Sequence, residues 1–279
     1  MRPNLFMPLG DPDKIESAHQ YLYHYTSISA FCNMLDTNQF WFGYTKNMND
    51  STEVVGFLRE IKSKLNNDFP IETPRKKEVL KMISETEKIA NVYIMSFSEI
   101  EDDAAQWERY ADNANGVCLK IKTSILSEVS ETYYYWLKEV KYLFDDESNY
   151  DYEYNYKQLY SYIEKGLTYN NKELSLIMLE LCLVGIYHKH PSFQSEREVR
   201  FIHHSNVKED KYVFSKTNIV KRMFVFDLQT YGIKIDEIID EIIIGPRSQQ
   251  SMDELKMYIE SKGYIELSNK IKYSSSPLR

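Results

Sequence analysis

Short aromatic-rich segments and amphipathic segments at helical spacing are interleaved along this chain in no repeating order. A regular strand–helix alternation would build a parallel sheet. An irregular one points to an α+β fold with a mixed, mostly antiparallel sheet flanked by helices. Residues 21–25 read as the first strand. Ser27 stands where an N-cap belongs, with Ile28, Phe31, Cys32 and Leu35 at helical spacing behind it. Residues 40–42 form a short apolar strand closed by Gly43. Asp50 reads as the next cap, with Glu53 at the capping-box position and Val54, Phe57, Leu58 and Ile61 on the inner face. Residues 62–75, with Pro70 and Pro74, read as a charged surface loop. Further helices are expected near 76–88, 104–110, 150–164, 174–188 and 252–262. Further strands are expected near 90–98, 116–121, 133–144, 199–203, 218–226, 237–244 and 264–267. Neither a linker nor a repeat divides the chain. The expected organisation is a loose arm over 1–18 and a single domain over 19–279, with a Tyr-rich acidic segment at 131–164.

Composition removes several classes. Aromatic residues make up 14% of the 279 positions, far above what a solvated coil carries. Three widely spaced cysteines cannot build a disulfide framework or a four-thiolate zinc site, so a reducing cytoplasm is the expected compartment. The net charge of -8, from 42 acids and 34 bases, gives no whole-molecule attraction to nucleic acid or an anionic membrane. The first residues lack the apolar run of a signal peptide. The most apolar stretch, 174–187, is interrupted by Glu180 and too short to span a bilayer, so no membrane association is expected. Phosphate loops of the GxxxxGK and GxGxxG kinds are missing, as is GxSxG. His188 with His190, and His203 with His204, lack companion ligands at zinc spacing, so no metal is expected.

Several short blocks occur in a set order. They are Tyr23-His24-Tyr25-Thr26, Phe42 through Met48-Asn49-Asp50 and Glu53, Ser96-Phe97-Ser98 with Trp107 and Tyr110, and Gly116-Val117-Cys118. Glu196-Arg197-Glu198-Val199-Arg200-Phe201 and Ile243-Ile244-Gly245-Pro246-Arg247 follow. In order and spacing they resemble the bacterial domain-of-unknown-function family 2971 over roughly residues 20–270, a resemblance that supplies no chemistry. Three patches also look similar to the ADP-ribosyltransferase superfamily. These are the His-Tyr-Thr strand, the middle strand with serines, and the late QSEREVRF with its Gln-x-Glu and Glu-x-Glu patterns. This second resemblance implies an ADP-ribosyltransferase-like sheet with a central cleft, and NAD as substrate without a metal. It implies Glu198 and Glu196 as catalytic acids, with His24, Tyr25, Thr26, Ser96, Ser98, Tyr110 and Asn49 around the dinucleotide. The implied acceptor is a macromolecule: DNA, RNA or protein. The implied setting is a bacterial toxin or phage-defence effector, held by a neutralising antitoxin or chaperone partner.

The chemistry asks for few groups. Nicotinamide leaves NAD as a neutral base through an oxocarbenium-like ribose, so the site needs a carboxylate near the developing charge. It needs a polar group on the ribose and an aromatic ring against the nicotinamide. Within a strand, Glu196, Glu198 and Arg200 would share one face. Each residue also has a plain structural reading. Glu198 beside Arg197 and Arg200 reads as a surface ion-pair ladder, and His24 as a half-buried strand histidine. Asn49 and Asp50 read as a helix start, Ser96 and Ser98 as a sheet rim, and Trp107 as core. Arg247 reads as a turn residue or an anion ligand at a helix start. Removing the Glu198 charge, at a strand opening, is expected to cost below about 1 kcal/mol of stability. The Tyr-rich segment reads as a protein-binding surface or as a core strand with an acidic helix. Two other functions fit the residues: a non-catalytic binding module, and a metal-dependent nuclease using Asp50, Glu53, Glu196 and Glu198.

Overall fold

Among the described residues, ten strands join into one connected sheet: β1 (Tyr21–Thr26), β2 (Gln39–Tyr44), β3 (Val92–Ser98), β4 (Val117–Lys122), β5 (Tyr135–Glu139), β6 (Glu198–His204), β7 (Asp210–Phe214), β8 (Val220–Asp227), β9 (Ile239–Ile244) and β10 (Ile271–Tyr273). Their order is β10-β9-β4-β1-β3-β2-β8-β7, with β6 joining β3 and β5 joining β6. The computed structural model describes residues 12–47, 52–89, 91–133, 135–142, 150–166, 171–204, 210–214 and 219–278. β1 runs antiparallel to β4 from Tyr21 opposite Lys122 to Thr26 opposite Val117. The pairs β1–β3, β2–β3, β2–β8, β4–β9, β5–β6 and β7–β8 are antiparallel too, and β9–β10 is parallel. The fold is thus α+β with a mixed, mostly antiparallel sheet, as expected, and β1, β3 and β6 share it.

The helices are α1 (Pro12–Ala18), α2 (Ile28–Thr37), α3 (Thr52–Asp68), α4 (Pro74–Ile89), α5 (Ala104–Tyr110), α6 (Thr123–Thr132), α7 (Tyr150–Lys165), α8 (Asn171–Ile186), α9 (Ile235–Ile238), α10 (Met252–Ser261) and α11 (Ile265–Ser268). None among the described residues is long and apolar enough to cross a membrane. Local chemistry explains their ends. The Ser27 hydroxyl accepts the Ala30 N–H at 3.2 Å to start α2, and Asn38 in the left-handed region stops it. Asp103 caps α5 by accepting the Gln106 N–H at 2.9 Å.

The described residues pack as two compact units. The first comprises 1–44, 93–139 and 195–279 and holds the sheet. Its core gathers Leu22, Phe31, Phe42, Phe97, Leu119, Phe201, Phe226 and Ile242. The second comprises 45–92 and 140–194 and holds α3, α4, α7 and α8. Its core gathers Leu58, Ile61 and Leu65 from α3, Ile83 from α4, Leu159 from α7, and Met178 and Leu181 from α8. The chain passes between the units inside runs of ordinary composition, so no linker marks the crossings.

Part of the Tyr-rich segment, α7, lies within the second unit. Tyr156 and Tyr162 on α7 are buried in the helical core. Tyr156 donates to Asp68 at 2.5 Å and Tyr162 to Glu78 at 2.6 Å. Tyrosine rings bury while their hydroxyls find acids on neighbouring helices.

Four local expectations change. The stretch 62–75 is a loop only over 69–73: α3 continues to Asp68, because Leu65 extends the buried stripe of Leu58 and Ile61, and α4 begins at Pro74. Residues 12–18 of the expected arm form α1, whose Ile15 is 6% exposed and belongs to the sheet core. Among the described residues of the expected strand 133–144, the strand is β5, preceded by the unforeseen α6; residues 134, 143 and 144 lie outside the described residues. The strand expected at 264–267 is α11, and the last strand is β10.

Candidate functional site

The two late acids lie within the first unit but not on one strand face. β6 begins at Glu198, whereas Glu196 ends a 3-10 turn, Pro191–Glu196. Arg197 between them has φ 40°, the left-handed region, which breaks the alternation read from sequence. Glu196 and Glu198 nevertheless stay close enough that both charges raise the Tyr110 hydroxyl pKa.

Glu198 is 6% exposed and Arg200 1%. Arg200 Nε donates to Glu198 Oε1 at 2.8 Å, and its Nη2 donates to Oε2 at 2.9 Å. The Ser96 hydroxyl on β3 donates to the same Oε1 at 2.6 Å. This is a buried, two-pronged ion pair, not a surface ladder. His24 on β1 reaches the same residue from its other side: its Nδ1–H donates to the Ser96 carbonyl at 2.9 Å. A carbonyl only accepts, so the proton sits on Nδ1 and Nε2 remains an acceptor. Burial pushes the His24 pKa down, opposed by its bond to the Ser96 carbonyl. The ring is therefore neutral at pH 7.

Glu196 is 3% exposed. Its Oε1 accepts from Tyr110 at 2.8 Å and from Arg109 Nη1 at 3.0 Å, both on α5. Its carbonyl accepts from the Ser98 hydroxyl at 2.9 Å and from Gln106 Nε2 at 3.1 Å. Burial raises the Tyr110 pKa most, followed by the hydrogen bond to Glu196. The carboxylates lie beneath the surface. The groups that lead outward from them are the Arg109 side chain, 46% exposed, and Tyr110, 45% exposed.

His24, Ser96, Tyr110, Glu196 and Glu198 thus converge from β1, β3, α5, the end of the 3-10 turn and the start of β6. Ser98 is close by but serves the backbone, since its hydroxyl donates to the Glu196 carbonyl and accepts the Ile100 N–H at 3.1 Å. Tyr25 points away: its hydroxyl donates to the Ile100 carbonyl and accepts the Asp103 N–H, both at 2.9 Å. Its ring packs edge-on to Trp107 at 5.1 Å. It is a buried residue, 6% exposed, in a small cluster with Trp107. Thr26 is buried at the β1–β4 junction opposite Val117. Asn49 and Asp50 lie outside the described residues. Trp107 is core, 0% exposed, with its Nε1–H on Asp102 at 2.7 Å. Arg247 donates to Asn113 Oδ1 at 2.9 Å and to Glu108 Oε1 at 3.2 Å.

Sequence reasoning missed Arg109 and Gln106. The signal was present, since Gln106, Arg109 and Tyr110 fall at helical i, i+3, i+4 spacing and share a face of α5. Three of the histidines considered for metal are engaged separately. His188 Nδ1 donates to the Val184 carbonyl at 2.7 Å, and His190 contacts Ser192 at 2.8 Å. His203 lies between the rings of Tyr135 and Phe224.

No curated protein and no solved structure matches this chain. Residues 106–201, under half of the chain, match the model of a family described as protein of unknown function (DUF2971). The matched span runs from α5 to β6 and carries Arg109, Tyr110, Glu196, Glu198 and Arg200.

Proposed function

We propose that this chain is an NAD-dependent ADP-ribosyltransferase that moves ADP-ribose onto a macromolecule. One observation carries the reading. A carboxylate, Glu198, is paired beneath the surface with Arg200, and one residue, Ser96, links it to a neutral strand histidine. Burial alone would favour the protonated acid. The paired arginine and the serine hydroxyl hold the charged form, and such a preorganised charge favours a developing cation. In the reaction, the bond from ribose C1′ to the nicotinamide nitrogen breaks and its electron pair leaves with the neutral base. The acceptor's lone pair forms the new bond to C1′, and the acceptor gives up its proton.

In this scheme Glu198 stabilises the ribose cation. His24 uses Nε2 to accept from a ribose hydroxyl. The half-exposed Tyr110 ring stacks on the nicotinamide. Arg109, with Glu196 behind it, meets the incoming acceptor or the pyrophosphate. The setting of a bacterial toxin or defence effector in the cytoplasm, with a neutralising protein partner, belongs to the same proposal.

A second reading has a specific observation in its favour. Both carboxylates are almost wholly buried and each is paired with an arginine. A binding module that has kept the fold without the chemistry would look like this. The same pairing argues against a nuclease, whose acids must stay free for cations. Purified protein is incubated with labelled NAD and a cell extract, with and without divalent metal, then treated with nuclease or protease. Metal-independent label on a macromolecule supports the transferase, and the nuclease or protease sensitivity names the acceptor. Metal-dependent cleavage of nucleic acid, or no reaction at all, overturns the proposal.

A further inference from the structure

His19 follows α1, Glu99 follows β3 and Glu139 ends β5. Their ligand atoms converge within 4.8 Å of one another. His19 Nε2 lies 3.4 Å from Glu99 Oε1 and 3.5 Å from Glu139 Oε1. A charge-assisted hydrogen bond would close to about 2.7–2.9 Å. The observed spacings instead match the edges of a tetrahedron around an ion with bonds of about 2.0–2.1 Å, where ligand atoms stand roughly 3.4 Å apart.

The charges call for a cation as well. Two carboxylates face one imidazole, and among the described residues neither makes a salt bridge to Lys or Arg. Of the nearby cations, Arg197 acts on Glu99 through space only. A divalent ion bound by two carboxylates and a neutral imidazole makes the cluster electrically neutral. The scaffold is firm on the histidine side: the His19 N–H is bonded to the Ile15 carbonyl at 2.8 Å, and Ile15 is buried. The Glu139 side chain is 48% exposed, which leaves a fourth position open to water.

We propose that His19, Glu99 and Glu139 bind one zinc ion, which fastens α1 to the ends of β3 and β5. Imidazole with carboxylates suits zinc among the common divalent ions. The clip also touches the candidate catalytic turn. The Glu99 N–H donates to the Arg197 carbonyl at 3.0 Å, and the neighbouring Ser98 holds the Glu196 carbonyl. The sequence predicts no metal, because these three ligands belong to separate elements with no short spacing to betray them.

The test needs no NAD and stands apart from the transferase reading. Full-length protein freed of metal by a chelator is titrated with Co²⁺ and read by visible absorption. The expected result is an intense tetrahedral spectrum that saturates at one equivalent and is displaced by Zn²⁺. His19→Ala and the surface variant Glu139→Gln, each with unchanged circular dichroism, lose it, and His190→Ala keeps it. A wild-type protein without a saturable spectrum overturns the proposal. So does a spectrum that survives in folded Glu139→Gln and His19→Ala.

Discussion

Glu198 and Arg200 stand two residues apart on β6, and both oxygens of the acid face the guanidinium. Removing one partner of a buried pair leaves the other charge uncompensated, at a cost of about 3–5 kcal/mol. The sequence reading, which placed Glu198 at an exposed strand opening, underrates that cost. Glu198→Gln keeps an acceptor oxygen, so its expected loss is about 3 kcal/mol, measured by urea unfolding. Adding Arg200→Met should recover most of it, and a fully additive double variant would show that the pair is not coupled. A second residue prediction concerns His203. Its ring lies 4.5 Å from Tyr135 and 4.2 Å from Phe224, and its Nδ1 is buried without a partner. Burial, with His204 adding to it, lowers its pKa from 6.5 to about 4. The folded state therefore disfavours the proton that the unfolded chain takes up below about pH 6.5. Its contribution to stability is full above that pH and is lost as pH falls towards about 4. His203→Phe keeps the ring stack and removes the proton. Its unfolding free energy should fall less steeply with acid over this window than wild type, by up to about 1.4 kcal/mol per pH unit. Equal slopes would contradict the assignment. His24, shifted the same way by burial, retains its own share.

Two of the short sequence blocks make sense as elements only when seen together. Gly116 opens β4, and Gly245 follows β9. The Gly245 N–H donates to the Gly116 carbonyl at 2.9 Å, and the Arg247 N–H to the Ala114 carbonyl at 3.0 Å. A Cβ on Gly116 would lie 2.1 Å from the Thr26 carbonyl oxygen, and one on Gly245 would lie 2.4 Å from that of Ala114. Backbone, not a movable side chain, fills both places. Gly116→Ala should therefore cost about 3 kcal/mol, seen as a lowered Tm, and a neutral effect would contradict this packing. Elements with a cap and a stripe were legible: Ser27 announces α2, and the aromatic alternation announces β1. Elements governed by distant contacts were not. Pro70 and Pro74 suggested a loop whose first part belongs to α3, since Leu65 packs in the second core. The positive φ of Arg197, set by its neighbours, removed Glu196 from the strand on which alternation placed it. For the candidate site, His24, Ser96, Glu196 and Glu198 were readable as motif residues. Their arginines were harder to see: Arg200 looked like a surface partner, and Arg109 lay unnoticed on α5.

At the scale of the whole chain, two cores form from four crossings of one backbone. The sheet unit and the helical unit each bury their own apolar cluster. Independent cores need not open at one free energy. Hydrogen exchange in rising urea should resolve two cooperative sets of amides, one over β1, β4 and β9 and the other over α3, α7 and α8. A single set with one slope would mean that the chain unfolds as one body. The central claim, however, is chemical and rests on one carboxylate. Its most direct test is the rate at which label from NAD, carried in the ADP-ribose part, joins macromolecules of a cell extract. Wild type is compared with the Glu198→Gln/Arg200→Met variant, chosen because it should remain folded. The account predicts a rate lower by on the order of 100- to 1000-fold, the loss expected when one preorganised electrostatic partner is removed. A folded double variant that transfers label at the wild-type rate would contradict it.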